Sequence, residues 1–68
     1  MPVVKVLEIV GESGESFGDA VVKGVRELAA RIPSIAGVEV LNWTANVKDG
    51  QIVKYKANMK VAYLDEEP

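Results

Sequence analysis

Acid–base and nucleophilic chemistry in proteins draws most heavily on His and Cys, and this sequence has neither. Their absence removes Ser-His and Cys-His arrangements and the common zinc site. The carboxylates Glu8, Glu12, Glu15, Asp19, Glu27, Glu39 and Asp49 remain, but their spacing reveals no acid/base pair, and they read as a solvated face, a helix cap and a turn. The glycines of GESG at 11–14 lack the further Gly, or Gly-Lys, that phosphate-binding loops require. Oxygen-bearing Glu, Asp and Asn side chains could collect calcium or magnesium in an assembly, though no loop has EF-hand spacing. What is left is equipment for binding. The single Trp, Trp43, either packs in a core or subunit contact or offers a stacking surface to a planar ligand near a symmetry axis. Lys54, Lys56 and Lys60 share a strand face, where they are solvated, paired with Glu39 across a hairpin, or lining a pocket for an anion.

The elements that position these residues follow from periodicity. In the stretch 13–33, Phe17, Val21, Val25, Leu28 and Ile32 recur at helical spacing, with Ala20, Gly24 and Ala29 in the same stripe. Val25 and Leu28 are therefore expected in the core. Asp19, Lys23, Glu27 and Arg31 mark the wet face, where Lys23–Glu27 and Glu27–Arg31 pairs would each add about 0.2–0.5 kcal/mol. Ser16 and Asp19 resemble a capping box, so the helix should start at Ser16 or Phe17, and Pro33 should close its last turn at Ile32. Residues 3–10 read as a first strand and GESGES at 11–16 as a turn. After SIAG at 34–37, residues 38–47 make a second strand, with Val38, Val40, Asn42, Thr44 and Asn46 on one face and Glu39, Leu41, Trp43, Ala45 and Val47 on the other. Asp49-Gly50 is a hairpin turn, residues 51–64 return antiparallel, and 65–68 form an acidic tail.

The order strand, helix, hairpin gives an α+β domain spanning 1–68, a three-stranded antiparallel sheet curved around one helix. A chain of 68 residues buries only about 60% of its unfolded surface, and without Cys or His it has no disulfide or structural zinc to compensate. Hydrophobic residues are nonetheless 49% of the sequence, which points to surface buried between copies. A net charge of −2 gives no general attraction to nucleic acid or anionic membrane, and neither a spanning segment nor a secretory signal is present. The expectation is a soluble, cytoplasmic protein whose partner is itself.

VVKVLEIVGESGESFGDAV, GVEVLNWTANV with its following DG, and YKANMKVAYL together resemble the dodecins over essentially the whole chain. The resemblance implies a β-α-β-β subunit that assembles into a hollow homododecamer with cubic symmetry and stores or sequesters flavins, FMN or riboflavin, without catalysis. It also implies where a flavin would sit. In flavin-binding dodecins, a Trp just before VEV stacks on the isoalloxazine from two symmetry-related subunits; that position is Gly37 here. A Gln after the third strand's aromatic residue bonds the flavin's polar edge; here Lys56 follows Tyr55. An Arg that supports the phosphate corresponds to Thr44, beside Trp43. Six residues separate Gly37 from Trp43, about 20 Å along a strand. The candidate cofactor-binding positions are thus Gly37, Trp43, Thr44 and Lys56. Two functions remain open: storage of a flavin or another flat small molecule at subunit interfaces, or a flavin-independent dodecameric shell with an ion-binding or structural role.

Overall fold

A computed structural model of the chain describes residues 3–65, in the order β1 (Val3–Ser13), α1 (Phe17–Ala29), β2 (Ile35–Lys48) and β3 (Gln51–Asp65). The strands form one antiparallel sheet in the order β1-β3-β2, with α1 against one face. Asp49 and Gly50 join β2 to β3 with φ of 54° and 77°, the paired positive values that a type I′ turn requires. Of the acidic tail at 65–68, Asp65 ends β3 and the rest lies outside the described residues.

Three boundaries differ from the sequence reading. The helix ends at Ala29 rather than Ile32, and the amides of Arg31 and Ile32 both donate to the Leu28 carbonyl at 2.9 Å as the chain turns away. β2 begins at Ile35, inside the stretch read as a connection. β1 continues through Gly11 and Glu12 to Ser13, residues read as a turn. Gly11 is there to admit the helix: a Cβ on it would lie 2.2 Å from the Ala20 carbonyl oxygen and 3.0 Å from Met59 Cε. Strand and helix backbones meet at this crossing, which needs a residue without a side chain.

The faces of β2 also need correction. Val40 pairs with Met59 and Asn42 with Asn58, so Leu41 is an extra residue and the alternation resets there. Val38, Val40, Trp43 and Ala45 consequently share the helix side, while Glu39, Asn42, Thr44 and Asn46 look away from it. Two further shifts leave Ala36 extra on β2, between Ile35 and Gly37, and Val53 extra on β3, opposite Asn46 and Val47.

Met59, Val61, Ala57 and Ala20 are fully buried, with Ile9, Val21 and Val40 packed partly buried around the cluster. Val25 and Leu28 belong to the correct stripe but are only half-buried, so they are not core residues of the single subunit. One small sheet cannot cover the whole apolar stripe of α1.

The helix start is held by a clasp that the capping pattern only partly anticipates. Ser16 Oγ accepts from the Asp19 amide at 2.9 Å, as expected. The Asp19 carboxylate does not return to the Ser16 amide; it accepts from buried Ser13 Oγ at 2.6 Å, and Ser13 Oγ in turn accepts from the amides of Glu15 (2.9 Å) and Ser16 (3.4 Å). Lys23 approaches Asp19 at 3.0 Å and Glu15 at 3.6 Å, and neither Lys23–Glu27 nor Glu27–Arg31 forms among the described residues. The Ser13 hydrogen bond, then the Lys23 bond, hold the Asp19 carboxyl below its ordinary pKa of 3.8. Its stabilising contribution is therefore present above that pH and fades as pH falls through the lowered value. Asp19→Asn should lower the melting temperature at pH 7 and flatten the decline below about pH 4 seen for the unmodified chain. Parallel acid titrations in which the two proteins decline alike would refute this reading of the clasp.

Candidate functional site

The two sides of the sheet carry different chemistry. On the helix side, α1 opens with Phe17, the bulge at Leu41 turns Trp43 inward, and β3 brings Tyr55 against Phe17. Phe17 meets Trp43 with centroids 5.4 Å apart at 73°, and Tyr55 at 4.9 Å and 79°. Both are edge-to-face contacts, the geometry favoured by opposed ring quadrupoles. Trp43 nevertheless remains 48% exposed.

The outer side is polar along its centre. Lys56 lies opposite Thr44, Lys60 opposite Glu39, and Asn58 Nδ2 donates to Asn42 Oδ1. Lys54 pairs with Glu12 at 3.3 Å rather than with Glu39. Farther along this side a shallow notch of about 240 Å³ is lined by Val6, Gly37, Val38, Glu39, Lys60 and Ala62. A Cβ at Gly37 would meet nothing within 4 Å. A larger groove of about 660 Å³ runs between β1 and α1, where Glu12, Lys23, Glu27 and Arg31 of both signs border an aliphatic floor; it touches none of the four candidate positions.

Of those four positions, Thr44 and Lys56 are direct cross-strand partners, and Gly37 shares their side but lies opposite Ala62, six residues farther along β3. Trp43 is on the other side. One subunit therefore does not gather the four into one pocket. Sequence reasoning missed Phe17 and Tyr55 as the rings that hold Trp43, because their contact depends on the bulge. It also missed Ser13, whose spacing of three residues before the cap Ser16 was the available signal. Among the described residues no group of three or more carboxylates comes together as a metal cluster, and no helix is long and apolar enough to cross a membrane.

The dodecin family model matches residues 3–65, and the chain belongs to the dodecin family. Dodecins are non-catalytic binding proteins that form oligomers and typically bind flavins. The fold is similar to that of a dodecin from Streptomyces davaonensis, with TM-score 0.92, 27% identity and 97% of each chain covered. The dodecin of Streptomyces coelicolor superposes with TM-score 0.95 over 98% of this chain and 96% of its own, at 24% identity, a likeness of fold alone. A calcium-chelating immunodominant antigen of Mycobacterium tuberculosis, described as a calcium dodecin with a novel calcium-binding site, matches with TM-score 0.83 and 25% identity over 97% of this chain and 93% of that one. None of the curated proteins matches the sequence.

Proposed function

We propose that the chain assembles into a cytoplasmic homododecameric shell that holds a flat small molecule, a flavin such as FMN or riboflavin, without converting it. The observation that carries this reading is the apolar surface that one subunit leaves uncovered. Val4, Val6 and Val10 stand 62%, 58% and 53% exposed on the outer side of β1, while among the described residues the fully buried hydrophobic core is Ala20, Ala57, Met59 and Val61. Exposed apolar strands of this kind are a hazard in a monomer and a contact surface in a closed oligomer. Membership of a family of oligomeric, flavin-binding proteins supports the same reading.

Light scattering at micromolar concentration is expected to give a dodecamer mass, and a monomer mass would refute the assembly. Dissociation and unfolding should be coupled, so the thermal midpoint should rise with protein concentration. The purified protein's visible spectrum then tests the cargo. A yellow shell, or one that quenches added riboflavin, supports flavin storage; a colourless shell that does neither leaves the ion-binding or structural role.

A further inference from the structure

We propose that the groove between β1 and α1 binds a small aliphatic carboxylate, its head met by Arg26 and Arg31 and its tail laid on the floor between strand and helix. The groove touches none of the four candidate positions for a flavin, so the proposal stands apart from that reading. One wall is made by four consecutive residues of β1, Ile9 to Glu12. Neighbours on a strand point to opposite faces, so four in a row can line a groove only along the strand's edge, and β1 is an edge of the sheet. The other wall is the flank of α1, and two glycines keep the space between them open. A Cβ on Gly24 would lie 3.1 Å from the Gly11 Cα and 2.8 Å from Met59 Cε, so strand and helix backbones meet there with no side chain rising into the groove. The resulting volume of about 660 Å³ falls in the range of small-molecule sites.

The charges on the rim decide what fits. Lys23 is already held by Asp19 and Glu15, and Glu12 by Lys54. Among the described residues Arg26, Glu27 and Arg31 form no ion pair, although Glu27 and Arg31 stand at the spacing that would allow one. Two guanidiniums against one carboxylate leave a surplus of one positive charge, which a singly charged anion neutralises. A guanidinium can give a carboxylate two parallel hydrogen bonds, a match of geometry as well as of charge. Ile9 and Leu28, each half-buried, supply apolar surface beside these heads, and no aromatic side chain lines the groove. The floor therefore suits a slender hydrocarbon tail rather than a stacked ring.

Octanoate is the probe, with acetate carrying the charge without the tail and octanol the tail without the charge. Calorimetric titration of the assembled protein should show octanoate bound at least about tenfold more tightly than either, since two buried methylenes already supply that factor. Added salt should weaken octanoate and leave octanol unchanged. Arg31→Gln should weaken octanoate by roughly fivefold, the effect of losing one exposed ion pair. Glu27→Gln, which removes only the opposing charge, should tighten it by a smaller factor. Both side chains are exposed, so each variant should keep the circular dichroism spectrum and assembled mass of the unmodified protein. Shifts of the same sign in the two variants, equal binding of octanoate and octanol, or no binding of octanoate to the assembled protein would each overturn the proposal. Riboflavin should not compete with octanoate, so failure here leaves flavin storage standing, and a protein that binds octanoate but no riboflavin supports this site while refuting that cargo.

Discussion

Gly11→Ala should prevent the subunit from folding. The added methyl carbon would stand 2.2 Å from the carbonyl oxygen of Ala20, a helix backbone atom, and 3.0 Å from Met59 Cε. Met59 can swing aside, but the carbonyl can move only if the helix lifts off β1, which uncovers Ala20 and Met59, two of the fully buried residues. Overpacking a core typically costs about 1–3 kcal/mol, and a backbone clash of this depth should exceed that range. A small domain has little stability in reserve. The expected outcome is loss of assembled protein and of cooperative melting. Gly18→Ala is the matched control, since a Cβ there meets nothing within 4 Å and the helix should gain roughly 0.5–1 kcal/mol. Normal melting of Gly11→Ala would mean that strand and helix are not in backbone contact.

Gly37→Trp combined with Lys56→Gln should strengthen riboflavin binding by roughly two to four orders of magnitude. An indole introduced at Gly37 supplies an aromatic face worth about 1–3 kcal/mol by analogy with base stacking, and a symmetry-related copy would double it. The amide introduced by Lys56→Gln would both donate and accept at the flavin edge, whereas the Lys56 ammonium only donates. A Cβ at Gly37 meets nothing within 4 Å, so a side chain can leave the backbone there without a clash. Positions 37 and 56 are separated by the six residues from Ala62 to Lys56 on β3, about 20 Å, so one ring can reach both only where subunits meet. The gain should be independent of Trp43, which lies on the opposite side of the sheet. Fluorescence titration of the double variant, with and without Trp43→Leu, measures both; no gain in the intact shell would show that the outer side does not receive the flavin.

The architecture was legible because its signals are local and redundant. The phase of α1 follows from Phe17, Val21, Val25 and Leu28, the hairpin from Asp49-Gly50, and the two-sidedness of β3 from lysines alternating with Tyr55, Ala57 and Met59. The failures share a different cause. Nothing in VEVLNWTANV marks Leu41 as supernumerary, since its apolar and polar residues fit either parity, and the pairing that exposes the extra residue is made with β3. Gly11 reads as a turn because turns and close backbone approaches use the same residue for different reasons. The end of α1 was overrun because Pro33 limits where a helix can extend without requiring it to extend that far. For the candidate site, alternation alone sets Trp43 opposite to Thr44, but the unseen bulge at Leu41 decides that Gly37 lies on the side of Thr44 and Lys56 and away from Trp43.

That bulge has a second effect, on the hazards of an unassembled chain. β1 and β2 are the two edges of the sheet, each with a row of backbone amides and carbonyls facing outward, and strands of 11 and 14 residues are long templates for another chain to zip onto. The extra residues at Ala36 and Leu41 interrupt β2 twice within its first half. An incoming strand that matches the register on one side of Leu41 is out of step on the other, so runaway pairing along this edge stalls after a few residues. β1 has no such interruption in its pairing with β3, which makes it the edge at which newly synthesised subunits are most exposed to fibrous misassociation.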